Sequence, residues 1–449
     1  MDATAETPLE AVATLATAGD VSSQCALGAR YAEGNAAPTD YVQARYWLLK
    51  SAEAGNVEAA RGMGRLYDFQ DPSIHDPVAA VRWYLVAAQD GDAIAQNNLA
   101  LLYRAGDGVP RDGQRAIALF RKAADAGYAL AQITLGRTYE NGTDVEVDYQ
   151  EAMRWYLKAG KDGDALGLLK VGYMYDMGWG VPVDKRVATL WYEKAAAKGL
   201  ADAEYNLGIM YTSGDIPRDC ERGIHFYELA AGQGFTNALH NLGNLYVEGG
   251  CAPRDPDRAG RFWRQAAAKG HLGAARNVGL LLWYGDGVPM DREGAVKWYQ
   301  LAAEGGLAEA QSDLGRFYMI GDGIALDYRL ALKWIRLAAE ANEPAAMANL
   351  GYLYQKGYGL PVNGPLALDW MLRAARSGKA GTGAEYKVGE YYRDGIGTPV
   401  DDLLAYVWFS RAAAAGDAGA ELDAAKVAAR LGPEKLAQAQ LLLATSPAN

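Results

Sequence analysis

A segment of 36 residues recurs along most of this 449-residue chain. Each copy carries a glycine, or once an alanine, in a segment that resembles LG-x-x-Y, and one spacing is 35 residues and the last is 38. These positions are Gly28, Gly64, Ala100, Gly136, Gly172, Gly208, Gly243, Gly279, Gly315, Gly351 and Gly389. Such a period predicts a stack of similar units, because one short unit cannot bury its apolar face alone.

Two helices are predicted in each repeat, and the second begins at an Asp or Asn, which accept hydrogen bonds from a helix's first turn. These residues are Asp40, Asp76, Asp112, Asp148, Asp184, Asp219, Asp255, Asp291, Asp327, Asn363 and Asp401. Fifteen residues after each of them stands a Gly, or Asn342 in one repeat. Both residues tolerate the left-handed conformation that ends many helices, so the pattern predicts the helix end as well.

Inside the second helix stands an aromatic residue in ten repeats and Leu119 in the other. The aromatics are Trp47, Trp83, Trp155, Trp191, Phe226, Phe262, Trp298, Trp334, Trp370 and Trp408. Glycine inside a helix costs about 1 kcal/mol relative to alanine, so its recurrence in the first helix predicts close helix packing. We expect Trp155, Trp191, Trp298 and Trp334 to be buried.

The full pattern, A-x-x-x-LG-x-x-Y-x-x-G-x-G-V-x-x-D-x-x-x-A-x-x-WY-x-x-AA-x-x-G, resembles the Sel-one-like repeat (SLR), a relative of the tetratricopeptide repeat. The resemblance covers about nine-tenths of the chain. It implies an all-α fold: a right-handed α-solenoid of eleven 36-residue helix-turn-helix repeats with degenerate terminal caps. It also implies first helices that line a concave side, and an adaptor or scaffold role, most often in bacteria.

The domain prediction is one continuous solenoid of about 24 helices. Residues 1–20 are expected to form an N-terminal capping helix, residues 21–416 the eleven repeats, and residues 417–449 the C-terminal capping helices.

The charge balance, 44 basic against 55 acidic residues, argues against nucleic acid as a partner. No run of about 18 apolar residues exists, so no membrane span is expected. The N-terminus lacks the pattern of a signal peptide. We therefore expect a cytoplasmic monomer, with a periplasmic or exported protein as the alternative.

Cys25, Cys220 and Cys251 form no C-x-x-C pair and are expected to be free thiols, with a Cys220–Cys251 bridge as the alternative. Four histidines lack metal-ligand spacing, and no catalytic motif of the serine, zinc or P-loop types occurs. We predict no cofactor, no metal and no enzymatic activity.

A partner-binding site is expected on the face of the first helix that packing leaves exposed. Two positions before the repeat glycine, asparagine recurs five times, at Asn98, Asn206, Asn241, Asn277 and Asn349. An amide both donates and accepts, so a row of asparagines could hold an extended backbone. The alternative is that they bond neighbouring helices and hold the solenoid together.

One position after the glycine stand the apolar anchors Tyr173, Ile209, Leu280 and Tyr352. Basic residues outnumber acids on this face, and Arg137, Arg276 and Arg316 are predicted to attract an acidic or neutral partner. The positions three before, two before and one after the glycine together hold seven basic residues. These are Arg61, Arg65, Arg137, Lys170, Arg276, Arg316 and Lys387.

The functional prediction is a non-enzymatic scaffold or adaptor that binds a protein partner, either a peptide segment or a folded protein, in the concave face. One alternative is an inhibitor or immunity protein that wraps a secreted toxic effector enzyme. A remote alternative is a hydrolase of the β-lactamase-like SLR type, although the chain lacks the paired cysteines of those proteins.

Overall fold

The computed structural model describes residues 8–34, 38–69 and 71–445, and these contain 25 α-helices and no strand. The first helices of the repeats are α2 (Val21–Glu33), α4 (Val57–Asp68), α6 (Ala93–Ala105), α8 (Ala129–Asn141), α10 (Ala165–Met177), α12 (Ala201–Ser213), α14 (Thr236–Glu248), α16 (Leu272–Tyr284), α18 (Ala308–Ile320), α20 (Pro344–Lys356) and α22 (Thr382–Asp394). The second helices are α3 (Tyr41–Glu53), α5 (Pro77–Gln89), α7 (Gly113–Asp125), α9 (Tyr149–Lys161), α11 (Lys185–Ala196), α13 (Cys220–Gly232), α15 (Pro256–Ala268), α17 (Arg292–Glu304), α19 (Tyr328–Glu340), α21 (Gly364–Arg376) and α23 (Asp402–Ala414). The other helices are α1 (Leu9–Thr17), α24 (Ala418–Ala428) and α25 (Pro433–Thr445). The all-α prediction is confirmed.

The helices group into two compact units, residues 1–230 and 231–449. In the first unit each helix from α1 to α11 contacts the next one along the chain, and α4 also contacts α2 and α6. In the second unit the helices from α14 to α24 stack in the same serial way, and α18 contacts α20. This serial stacking is the solenoid arrangement that the repeats predict. The domain boundaries remain a prediction, and residues 1–7 and 446–449 of the predicted caps lie outside the described residues.

The Asp or Asn before each second helix makes two kinds of hydrogen bond. Its side chain accepts from a backbone N–H of the helix's first turn in all eleven repeats, as predicted. Its own N–H donates to the carbonyl of the LG-x-x-Y tyrosine, or of Leu282 in repeat eight, at 2.8–3.0 Å. One residue therefore both starts the second helix and closes the loop from the first.

The predicted ends of the second helices are confirmed. The residue fifteen positions after the Asp or Asn has a positive φ in all eleven repeats. The angle is 88° at Gly55 and 62° at Asn342, the one position without glycine. A residue in this conformation turns the chain out of the helix and satisfies carbonyls of the last turn.

The repeat glycine makes room for a side chain of the second helix in the same repeat. A Cβ at Gly64 would lie 2.5 Å from Cδ1 of Tyr84, and one at Gly279 would lie 2.9 Å from Cδ2 of Tyr299. Tyr84 and Tyr299 are 0% and 1% exposed. The predicted close approach is confirmed, and the side chain that needs it directly follows the repeat's tryptophan.

The tryptophans are less deeply buried than predicted. Trp155 and Trp334 are buried, whereas Trp191 and Trp298 are half-buried. The residue that follows the tryptophan points toward the first helix, so the tryptophan itself covers the edge of the core.

Four buried glutamines each link the first helix of a repeat to the helix that precedes it. Each donates from Nε2 to a backbone carbonyl near the end of the preceding helix, eight residues earlier, at 3.0–3.2 Å. They are Gln24, Gln96, Gln132 and Gln311. Each of these carbonyls also accepts from the N–H of the glycine that follows the helix, at 3.0–3.3 Å, so the glutamine adds a second hydrogen bond that joins neighbouring helices.

Candidate protein-binding face

The candidate site is the first-helix face, which we define as the positions three and two before, and one, four and five after, the repeat glycine. At 100° per residue these positions lie on one side of the helix. All five predicted asparagines are half-buried there, and so are Tyr173, Ile209, Leu280 and Tyr352. The face therefore consists of side chains that are partly held by the fold and partly accessible.

Two of the asparagines bond other helices. Asn98 donates from Nδ2 to the hydroxyl of Tyr84 at 3.3 Å. The Nδ2 of Asn277 lies 3.1 Å from Nε2 of His240 and 3.4 Å from Oδ1 of Asn244. These bonds correspond to the structural role that the sequence left open for the asparagines.

Asn206 and Asn349 differ from them. Within the described part of the chain, neither side chain has a hydrogen-bond partner, and both are half-buried. Their amides remain able to bond a ligand. The asparagine row is therefore chemically mixed, and its role in binding stays a prediction.

Two of the predicted apolar anchors belong to aromatic clusters of the same design. Tyr173 meets Trp179 edge to face at a centroid distance of 5.2 Å, and Trp179 stacks on Tyr149 at 5.3 Å. Tyr352 meets Tyr358 edge to face at 6.1 Å, and Tyr358 stacks on Tyr328 at 4.4 Å. Trp179 and Tyr358 both lie between the two glycines of a G-x-G loop, so each loop orients a tyrosine of the face.

The basic residues of this face are mostly paired. Arg276 lies 2.9 Å from Asp313, and Lys170 lies 3.1 Å from Glu140. Five of the seven basic residues form ion pairs, namely Arg61 with Asp92, Arg65 with Glu33, Lys170 with Glu140, Arg276 with Asp313, and Lys387 with Glu390. Four of the five acidic partners lie about one repeat away along the chain, so positions within single repeats could not reveal these pairs.

Arg137 and Arg316 are the predicted cations outside this set. Arg137 is exposed, and the guanidinium carbon of Arg316 lies 4.9 Å from the ring centroid of Phe317. Positive charge on the face is therefore concentrated at single positions rather than spread along it.

Sequence reasoning missed the apolar residues that end several first helices. Tyr284 is 69% exposed and Ile320 49%, at the same position of consecutive repeats in the second unit. Met177 occupies this position in the first unit and is 47% exposed. The signal was available in the sequence as one more periodic position, five residues after the repeat glycine. Exposed apolar side chains at equivalent positions of stacked helices indicate an interaction surface.

Two histidines of the second unit stack on each other, and one of them, His240, belongs to this face. The rings of His240 and His271 have a centroid distance of 4.5 Å and an interplanar angle of 20°. His271 also accepts at Nδ1 from the backbone N–H of Ala274 and so starts α16. Burial, with a contribution from His271, lowers the pKa of His240 to about 4. Both rings are therefore held neutral near pH 7.

Neither metal ligation nor a membrane span has a structural basis in the described residues. They contain no group of three or more His, Cys, Asp or Glu side chains that could hold a metal ion. None of their helices combines the length and apolar character needed to cross a membrane.

The thiol prediction is wrong for two cysteines. Cys220 and Cys251 are disulfide-bonded, whereas Cys25 is free and buried, and burial raises its pKa to about 11. Cysteine count and sequence spacing alone could not show that these two thiols are oxidised.

The comparison with known families matches the Sel1 repeat along nearly the whole chain. The matched segments are residues 21–56, 57–92, 93–128, 129–164, 165–200, 201–235, 236–271, 273–307, 308–343, 344–379 and 382–417. Sel1 repeats are a protein-interaction fold. No curated protein matches the sequence significantly.

Two solved structures resemble this chain closely enough to compare. A protective antigen of uropathogenic Escherichia coli with an SLR fold is 32% identical, with 98% of this chain and 94% of that chain covered and a TM-score of 0.64. A Sel1 repeat protein from Oxalobacter formigenes is 29% identical, with 73% of this chain and 95% of that chain covered and a TM-score of 0.61.

An immunity protein from Pseudomonas aeruginosa is more distant. It is 22% identical over 48% of this chain and 81% of that chain, and its TM-score of 0.32 carries no argument about function. With eleven matched repeats and a solved relative that is 32% identical over 98% of this chain, the chain belongs to the Sel1 repeat family.

Proposed function

We propose that this protein is a non-enzymatic scaffold that binds a partner protein along the first-helix face, with the second unit as the main contact region. The observation that carries this proposal is the pair Tyr284 and Ile320, exposed at the same position of consecutive repeats. Stacked helices lie about 8–10 Å apart, so these two side chains offer adjacent apolar contacts. Truncating apolar anchors of this kind often removes much of the binding free energy.

Further apolar residues and one polar residue lie on the same face as this pair. Leu280 and Tyr352 are half-buried one position after the repeat glycine. The side-chain amide of Asn349 has no hydrogen-bond partner among the described residues. Apolar contacts beside a few hydrogen-bonding groups are typical of protein-binding surfaces. Arg316, at the equivalent position of the repeat between them, favours a partner segment that is neutral or acidic.

The test uses the double variant Tyr284→Ala/Ile320→Ala and a matched control, Leu301→Ala/Leu337→Ala. Leu301 and Leu337 are 46% and 42% exposed in the second helices of the same two repeats. Tagged proteins are used for affinity capture from the native lysate, followed by mass spectrometry. We expect a partner that the wild type and the control retain and that the Tyr284/Ile320 variant loses.

Capture that survives the Tyr284/Ile320 change, or that fails only in the control, would reject this face as the binding surface. One stoichiometric effector enzyme among the captured proteins would favour an inhibitor over a scaffold. Several weakly held clients would favour the scaffold.

We infer that the protein works in an oxidising compartment, which is the alternative that the sequence left open. The support is the disulfide bonding of Cys220 and Cys251, because disulfides are rare in the reducing cytosol. Alkylation of the denatured protein from its native source should label Cys25 alone. Labelling of all three cysteines would restore the cytoplasmic prediction.

A further inference from the structure

A groove of about 600 Å³ in the first unit, which we call the arginine groove, contains a cluster of cations. It is lined by residues of α11, α12 and α13 and of the loop between the last two. Arg186, Arg218 and Arg222 line it together with a single acid, Asp219. The whole chain has 55 acidic against 44 basic residues. The charge of this groove is therefore opposite to that of the chain.

Two of these arginines have no anionic partner. Arg186 and Arg218 are exposed, and neither side chain forms an ion pair or a hydrogen bond among the described residues. Arg222 differs, because its Nη2 lies 2.6 Å from Oε1 of Glu193 and its guanidinium carbon lies 4.2 Å from the ring centroid of Tyr211. The groove therefore offers two unpaired cations beside a third that is held in place.

Arginines at the position of Arg218 bind a carboxylate in two other repeats. This position directly precedes the Asp that starts the second helix, and it holds arginine in repeats three, six and seven. In repeats three and seven the arginine pairs with an aspartate in the loop after the next first helix. These pairs are Arg111 with Asp144 and Arg254 with Asp286. The corresponding loop sequence for Arg218, residues 249–254, contains no acid.

The equivalent groove of repeat seven lacks the excess of positive charge. It has a volume of about 390 Å³ and is lined by two arginines, Arg254 and Arg258, and by two aspartates, Asp255 and Asp257. Arg254 is already paired with Asp286. The unpaired cations are therefore a property of the arginine groove and not of the repeat in general.

We propose that the arginine groove binds an acidic segment of a partner protein, whose aspartate or glutamate side chains pair with Arg186 and Arg218. A partner's carboxylate would take the role that an aspartate of this chain has beside Arg111 and Arg254. Pairs of guanidinium and carboxylate groups combine charge with two parallel hydrogen bonds, which makes them selective for planar anions. The groove includes no residue of the first-helix face, so this contact is additional to the proposed function.

The test measures fluorescence anisotropy of a labelled peptide, Gly-Asp-Glu-Asp-Glu-Gly, with the full chain at low salt. We expect binding of this peptide and no binding of its amide counterpart, Gly-Asn-Gln-Asn-Gln-Gly. The double variant Arg186→Gln/Arg218→Gln should weaken binding about tenfold, because each exposed ion pair contributes a few-fold. Its melting temperature should not change, since both side chains are exposed and unpaired in the described structure.

The matched control is Arg45→Gln/Arg82→Gln. These arginines are exposed in α3 and α5 of the same unit and do not line the groove, so the control removes the same charge elsewhere. It should retain the affinity of the wild type. Failure of the wild type to bind the acidic peptide would overturn the proposal. Equal losses in the two double variants would also overturn it, because they would indicate a general charge effect.

Competition with inorganic phosphate distinguishes an acidic protein segment from a phosphate-bearing ligand. Phosphate can pair with the same guanidinium groups. A single anion lacks the linked carboxylates of the peptide, so we expect phosphate to bind about tenfold or more weakly than the peptide. Phosphate that binds more tightly than the peptide would assign the groove to a phosphate group and reject the acidic segment.

Discussion

Gly172 of α10 lies against Tyr192 of α11, and a Cβ at Gly172 would stand 2.7 Å from both Cδ1 and Cε1 of that ring. Tyr192 is fully buried, and its hydroxyl donates to Oδ2 of Asp176 at 3.1 Å. Asp176 lies one helical turn after Gly172, so one first helix both makes room for the ring and accepts its hydrogen bond. This relationship explains why a helix keeps a residue that disfavours helix formation.

Gly172→Ala should destabilise the protein by about 1–2 kcal/mol. The added methyl must displace a buried ring, and the gain in helix propensity offsets only part of that cost. Chemical denaturation measures the change. The control is Gly383→Ala in α22, where a Cβ would meet nothing within 4 Å. Its stability should stay the same or rise slightly, and equal losses for both variants would contradict the packing explanation.

Tyr192→Ala should cost more stability than Trp191→Ala, although tryptophan is the larger residue. Tyr192 is fully buried and its removal should cost about 3–5 kcal/mol. Trp191 is half-buried, so we expect a loss of about 1–2 kcal/mol. The two neighbouring substitutions can be compared in one denaturation series. A larger stability loss for Trp191→Ala would show that the tryptophan contributes more to the core than Tyr192.

Periodicity predicted the architecture because helix caps and helix ends are local features. The side chain of Asp184 accepts hydrogen bonds from the first turn of the helix that it precedes, and Asn342 has a positive φ at a helix end. Both features depend on a few neighbouring residues and not on distant parts of the chain. The depth of Trp191 relative to Tyr192 was not predictable in this way. It depends on how the second helix is rotated against the first.

The candidate site was less predictable for a related reason. Arg276 was assigned to a positive face, but Asp313 lies 2.9 Å away from it. The two residues are 37 positions apart, so a scan of single positions within repeats could not pair them.

Acid should destabilise the protein through the stacked histidines. The pKa of His240 falls from its ordinary value of 6.5 to about 4, chiefly because of burial, and the pKa of His271 is lowered as well. As pH falls, the unfolded chain therefore binds protons before the folded one does. The stability from the neutral rings is fully present above about pH 6.5 and is lost progressively toward pH 4.

His240→Gln should flatten this pH dependence. Glutamine can keep a hydrogen bond with Asn277 but does not titrate, so the melting temperature should fall less between pH 7 and pH 5 than in the wild type. The measured quantity is the slope of melting temperature against pH, so a loss of stability that is the same at every pH does not affect the comparison. Parallel slopes for the two proteins would show that the histidine pair does not govern acid sensitivity.

The asparagines of the first-helix face should separate into two groups by the effect of substitution to alanine. Asn277 bonds His240 and Asn244, so Asn277→Ala should lower stability by about 1 kcal/mol. Asn349 has no such bond in the described residues, so Asn349→Ala should leave the melting temperature nearly unchanged and weaken partner binding instead. Thermal denaturation and affinity capture of both variants give the comparison. If Asn349→Ala retains full binding, the asparagine row holds the solenoid together and the apolar residues alone form the binding surface.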